Sequence, residues 1–115
     1  METRMTTYYI SLPDPSNARG SDADLAFSAH GADGFAEQLQ AALASPALFE
    51  RWKAKQSDPD AVPEQWGVTD PSAVVTGSQD DLQIKLEART TLKGDILKQR
   101  LDLLAGPNWT LHDVR

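Results

Sequence analysis

The feature that most constrains this chain is the alternation over residues 82–93. Leu82, Ile84, Leu86, Ala88, Thr90 and Leu92 interleave there with Gln83, Lys85, Glu87, Arg89, Thr91 and Lys93. Successive side chains of a strand point to opposite faces, so the pattern predicts a long strand in an antiparallel sheet that is dry on one side and wet on the other. An apolar sheet face needs a second layer to cover it, and three helical patterns supply one.

The first helix is expected after the turn at residues 30–34, with Asp33 as N-cap and Phe35, Leu39, Ala42 and Leu43 at helical spacing. Ser45 and Pro46 stop it and start a second helix with Leu48, Phe49 and Trp52 as its stripe, because proline is tolerated in the first helical turn. A third begins near Asp95, buries Ile96, Leu97, Leu101 and Leu104, and stops at Gly106 and Pro107.

Shorter alternating runs complete the sheet. Tyr8, Ile10 and Leu12 face one way and Thr7, Tyr9 and Ser11 the other, until Pro13 ends the run. Residues 24–29 alternate again, Leu25, Phe27 and Ala29 inward, and are expected to form a long-looped hairpin with the first strand. A short strand at 73–76, a turn at 77–81 and a last strand from Trp109 to about Val114 follow. The expected fold is α+β: a two-layer, mostly antiparallel sheet of about five strands, order β-β-α-α-β-β-α-β, with helices packed on one face. At 115 residues the chain reads as a single domain, 1–115. Residues 1–5 are expected to be disordered, with Met5 an alternative start, and 13–22 and 57–71 are long loops. A short helical turn is expected near residues 63–66.

Composition excludes several functions. There is no cysteine, which removes disulfides, thiolate nucleophiles and cysteine-ligated metals together. The net charge of −6 argues against a nucleic-acid partner, whose phosphates need Lys and Arg. No run approaches membrane-spanning length, so no membrane partner is expected and the cytoplasm is the default location. Neither G-x-G-x-x-G nor G-x-x-x-x-G-K-[ST] occurs, and no carboxylate cluster has calcium-loop spacing, so no cofactor and no metal are expected and no catalytic residue is assigned.

Two groups of residues remain as candidates. The strand register places Tyr9, His30, Glu87, Arg89 and His112 on the polar face of the sheet, where two histidines and a carboxylate supply acid–base groups if they meet. Between residues 57 and 84 there is no Lys or Arg, while Asp58, Asp60, Glu64 and Asp70 accompany Trp66 on a long connection. That pattern suits a docking loop for a basic protein partner. The favoured expectation is a small, acidic, non-enzymatic interaction module of the adaptor, inhibitor or chaperone-like kind. The alternative is a small-ligand binder or enzyme with its site on the polar face or between helices and sheet. The chain is expected to be a monomer, or a homodimer through the polar face or the 73–76 edge.

Overall fold

The fold comes from a computed structural model that describes residues 5–23, 25–29 and 31–115, with only the backbone at position 65. Among these residues the elements run β1 (Thr6–Leu12), α1 (Ala32–Ala44), α2 (Ala47–Ala54), β2 (Val74–Asp80), β3 (Gln83–Thr90), α3 (Gly94–Ala105) and β4 (Thr110–Val114). The four strands form one sheet in the order β2-β3-β1-β4, with every neighbouring pair antiparallel. The helical connections from β1 to β2 and from β3 to β4 each pass over one intervening strand. This is the interleaved split β-α-β arrangement, with two helices in the first crossover.

Within Gln83–Thr90 β3 alternates as its sequence predicts, with Ile84, Leu86, Ala88 and Thr90 buried and Lys85, Glu87 and Arg89 exposed, but the strand is shorter than 82–93 and Leu82, expected on the dry face, lies in the turn and is 83% exposed. Its buried side chains meet Tyr8, Ile10 and Leu12 of β1 and the stripes Phe35, Leu39 and Leu43 of α1 and Leu97, Leu101 and Leu104 of α3 in a single core. Burying each such aliphatic or aromatic side chain contributes about 1.5–3 kcal/mol. All helices therefore lie on one face, and the other face is open.

Three further details differ from expectation. First, residues 25–29 form no strand, so the sheet has four strands rather than about five. β3 and β4 already occupy both sides of β1. The segment folds onto the end of α3 instead: Phe27 N–H donates to the Leu104 carbonyl at 2.8 Å, and Leu25 and Phe27 are buried without a ladder. The N–H groups of Ser28 and Ala29 go to the side-chain oxygen of Gln38.

Second, Asp33 is not the cap of α1. Gly31 holds that position in extended backbone, its carbonyl accepting from Phe35 N–H, and Asp33 sits in the first turn, where a negative charge complements the helix dipole. Third, the strand expected at 73–76 runs on to Asp80, and the turn tightens to Asp81 and Leu82, with Asp81 at φ 58°. Asp tolerates this left-handed region better than most residues.

The outer edge of β2 lies against α1. Val75 N–H donates to the Gln40 side chain at 2.9 Å, and a Cβ on Gly77 would stand 2.4 Å from the Ala32 carbonyl oxygen. Only glycine allows that approach. Among the described residues, no helix is long and apolar enough to cross a membrane.

Candidate functional site

The open face is set by the pairing of β1. Tyr9 lies opposite Glu87 on β3 and Asp113 on β4, Thr7 lies opposite Arg89, and Ser11 lies opposite Lys85. Tyr9, Glu87 and Arg89 share one shallow depression of about 220 Å³, so three of the five residues expected on this face come together. His30 falls outside the described residues.

His112 does reach this region, through a register shift in β4 between the partners of Tyr9 and Ile10. Its Nε2 lies 2.6 Å from Ser11 Oγ. A serine within hydrogen-bond reach of an imidazole is the geometry of an activated nucleophile. Ser11 is only 2% exposed, however, so its hydroxyl has no open space beside it for a substrate. The pair acts as a strut between β1 and β4. Sequence alternation puts Ser11 on this face, but its partnership with His112 depends on β1 and β4 being neighbours.

Beside Tyr9, the Arg115 guanidinium lies 5.5 Å from the ring centroid, and its Nε is 2.7 Å from Asp113 Oδ2. The hydrogen bond from Arg115, reinforced by one from Val114 N–H, holds the Asp113 carboxyl below its ordinary pKa. RNA-binding sheets stack bases on two or three aromatics. Here Tyr9 is the aromatic residue at the centre, and it already carries Arg115.

The acidic connection is more ordered than a loop of its length suggests. It carries 3₁₀ turns at Pro59–Ala61 and Glu64–Gly67, the second where a helical turn is expected. Asp58, Asp60 and Glu64 are exposed and Trp66 packs half-buried against the core. Gly67 lies against Phe49, where a Cβ would come within 2.8 Å of the ring.

Asp70 must be removed from the docking group, because it is 4% exposed and fully engaged inside the fold. Its carboxylate accepts from the hydroxyl and N–H of Ser72, the hydroxyl of Thr90 and the N–H of Thr91. Burial works to raise its pKa, but these donors outweigh burial and hold the carboxyl well below the ordinary carboxylate value.

Arg100 supports the same connection from beneath. It is fully buried, and its guanidinium donates to the carbonyls of Ala42 and Val68 and to the Gln99 side chain, with the Phe49 ring 5.3 Å away. Burial lowers its pKa from the ordinary arginine value. Ala42 lies in the last turn of α1, whose unpaired carbonyls carry the negative end of the helix dipole. One side chain thus ties α1, α3 and the segment carrying Trp66 together.

Between that segment and the start of α3 lies a groove of about 600 Å³. Trp66, Val68, Leu92 and Ile96 give it apolar walls, and Lys93 and Asp95 stand among its lining residues. Sequence reasoning picks out Trp66 as an apolar anchor but misses this groove, since its far wall comes from the β3–α3 turn. A second hollow, of about 300 Å³, lies between Ala23, Leu25, Ala26 and Ser28 and the first two helices. Among the described residues, no group of three or more His, Asp or Glu side chains is placed to hold a metal ion. Comparison with known proteins adds no identity to this geometry: no protein-family model, no curated protein and no solved structure matches the chain.

Proposed function

We propose that the protein is a non-enzymatic interaction module that receives a basic segment of a partner protein along the connection at residues 57–71, working in the cytoplasm. The observation that carries this reading is that exposed Asp58, Asp60 and Glu64 share one stretch of chain, without a single Lys or Arg, with Trp66 and Val68, which wall a groove. Carboxylates steer a cationic segment and the groove accepts its apolar side chain. The lack of cysteine suits a reducing compartment.

The test is a titration of the full chain with a synthetic peptide of alternating lysine and leucine, read by calorimetry and tryptophan emission. Binding that weakens with salt and drops at least about tenfold in the triple variant Asp58→Asn, Asp60→Asn, Glu64→Gln supports the reading. Absence of binding, or binding that the triple variant leaves unchanged, overturns it. The groove volume also lies within the range of small-molecule sites, about 300–1,000 Å³. A small apolar fluorophore that binds there and is displaced by Trp66→Ala, with no peptide binding, favours that second reading.

A further inference from the structure

The open sheet face carries its charges in rows that cross the strands. One row contains Arg89 and Arg115, the residues paired with Thr7 on either side. The next contains Glu87, Tyr9 and Asp113. Lys85 follows opposite Ser11, ion-paired to Asp80 at 2.9 Å. The face is balanced in sign, whereas the whole chain has a net charge of −6. Glu87 and Arg89 are both exposed, and among the described residues neither shows an ion pair.

We propose that this face is the contact between two copies of the chain. A twofold axis lying in the interface, along the boundary between the basic and acidic rows, carries each row onto the other. Arg89 then meets Glu87 of the partner subunit, and the Arg115–Asp113 pair of one chain comes to lie against Asp113 of the partner subunit and Arg115 of the partner subunit, with each contact made twice, as an isologous interface requires. Stacked sheets stand about 10 Å apart, a gap that an arginine and a glutamate span together.

The balanced face also avoids the repulsion that two acidic surfaces would suffer elsewhere. The outer edge of β2 is a poorer candidate, because Gln40 already takes the Val75 N–H and α1 lies against Gly77. Four strands spaced about 4.8 Å and some six residues of length give a face of roughly 19 by 20 Å. That is small beside the roughly 800 Å² per partner of a standard interface, so association is expected to be weak and concentration-dependent. This contact is independent of the Trp66 groove and stands or falls separately from it.

The experiment is sedimentation velocity of the full chain over a concentration series, at about 0.05 M and about 1 M salt. A monomer–dimer equilibrium that weakens with salt is expected. Arg89→Glu and Glu87→Arg should each raise the dissociation constant at least about tenfold, and the double exchange should return it to within about threefold of the parent. Far-UV circular dichroism verifies that each variant folds. Amide shifts on dilution of the parent protein, expected at positions 7–9, 87–89 and 113–115, supply a reading that needs no variant. A chain monomeric at every concentration overturns the proposal. So does a dimer that neither single exchange weakens, a double exchange no tighter than the singles, or dilution shifts confined to another surface.

Discussion

The Thr90 hydroxyl donates a 2.8 Å hydrogen bond to the Asp70 carboxylate at the buried end of β3, fastening the acidic connection to the sheet. The same carboxylate accepts from Thr91 N–H at 2.8 Å and from Ser72, so a single charged group organises the chain's entry into β2 and its exit from β3. Hydrogen bonds to charged groups contribute about 1.5–3 kcal/mol each, and asparagine would turn an N–H₂ toward these donors. Asp70→Asn is expected to lower stability by roughly 2–3 kcal/mol in urea unfolding at neutral pH.

Asp70 also sets a pH dependence. Its folded pKa is depressed below the ordinary 3.8, so the unfolded chain takes up the proton first as pH falls. The stabilisation is complete above pH 3.8 and is lost progressively below it. The difference in unfolding free energy between the parent and Asp70→Asn should therefore be constant near neutrality and shrink as the pH is taken below 3.8. A difference that widens in acid would contradict this.

Tyr8 behaves in the opposite sense at alkaline pH. Its hydroxyl donates to the Leu92 carbonyl at 2.9 Å, and burial, with a smaller contribution from nearby Asp95, raises its pKa above 10.0. A raised folded pKa gives stability that is present below 10.0 and lost as the pH climbs past it. Tyr8→Phe should cost about 1 kcal/mol at neutral pH and flatten this alkaline decline, which thermal unfolding between neutral and alkaline buffers will show.

Arg100 separates packing from hydrogen bonding. Arg100→Met keeps most of the volume and removes a buried cation along with its bonds to Ala42 and Val68, so a loss of about 1–2 kcal/mol is expected. Arg100→Ala adds a cavity beneath Phe49 and should cost about 3–5 kcal/mol. Both release the Val68 carbonyl, so both should shift the emission of Trp66 in a chain whose other tryptophans are replaced by phenylalanine. An unchanged spectrum would show that the connection is held without this side chain.

Gly106 ends α3 at φ 62° and ψ −135°, a region essentially reserved for glycine. Gly106→Ala should destabilise by about 1–3 kcal/mol, measured as a lower midpoint in denaturant.

Periodicity and chain punctuation made much of this architecture readable. Ile84, Leu86 and Ala88 had to share a face because a strand has period two, and Gly106 followed by Pro107 had to end a helix. The three helices, the strand at 6–12 and the exposure of Lys85, Glu87 and Arg89 follow from the same local rules. Leu25 and Phe27 show where those rules end: alternation predicted their burial correctly, but burial under helices and pairing in a sheet leave the same mark. Ladder neighbours for β1 were decided by β3 and β4, which arrive from far along the chain.

The candidate sites were less legible for the same reason. Tyr9, Glu87 and Arg89 could be assigned to one face from sequence, whereas Tyr9 standing between Glu87 and Asp113, and Ser11 meeting His112, required the strand order. Asp58 and Asp70 belong to the same acidic run, yet one faces water and the other sits among four donors drawn from Ser72, Thr90 and Thr91. Composition treats those carboxylates alike, because charge is a property of the residue. Burial and hydrogen-bond supply belong to the tertiary structure, and they alone separated the structural aspartate from the exposed ones.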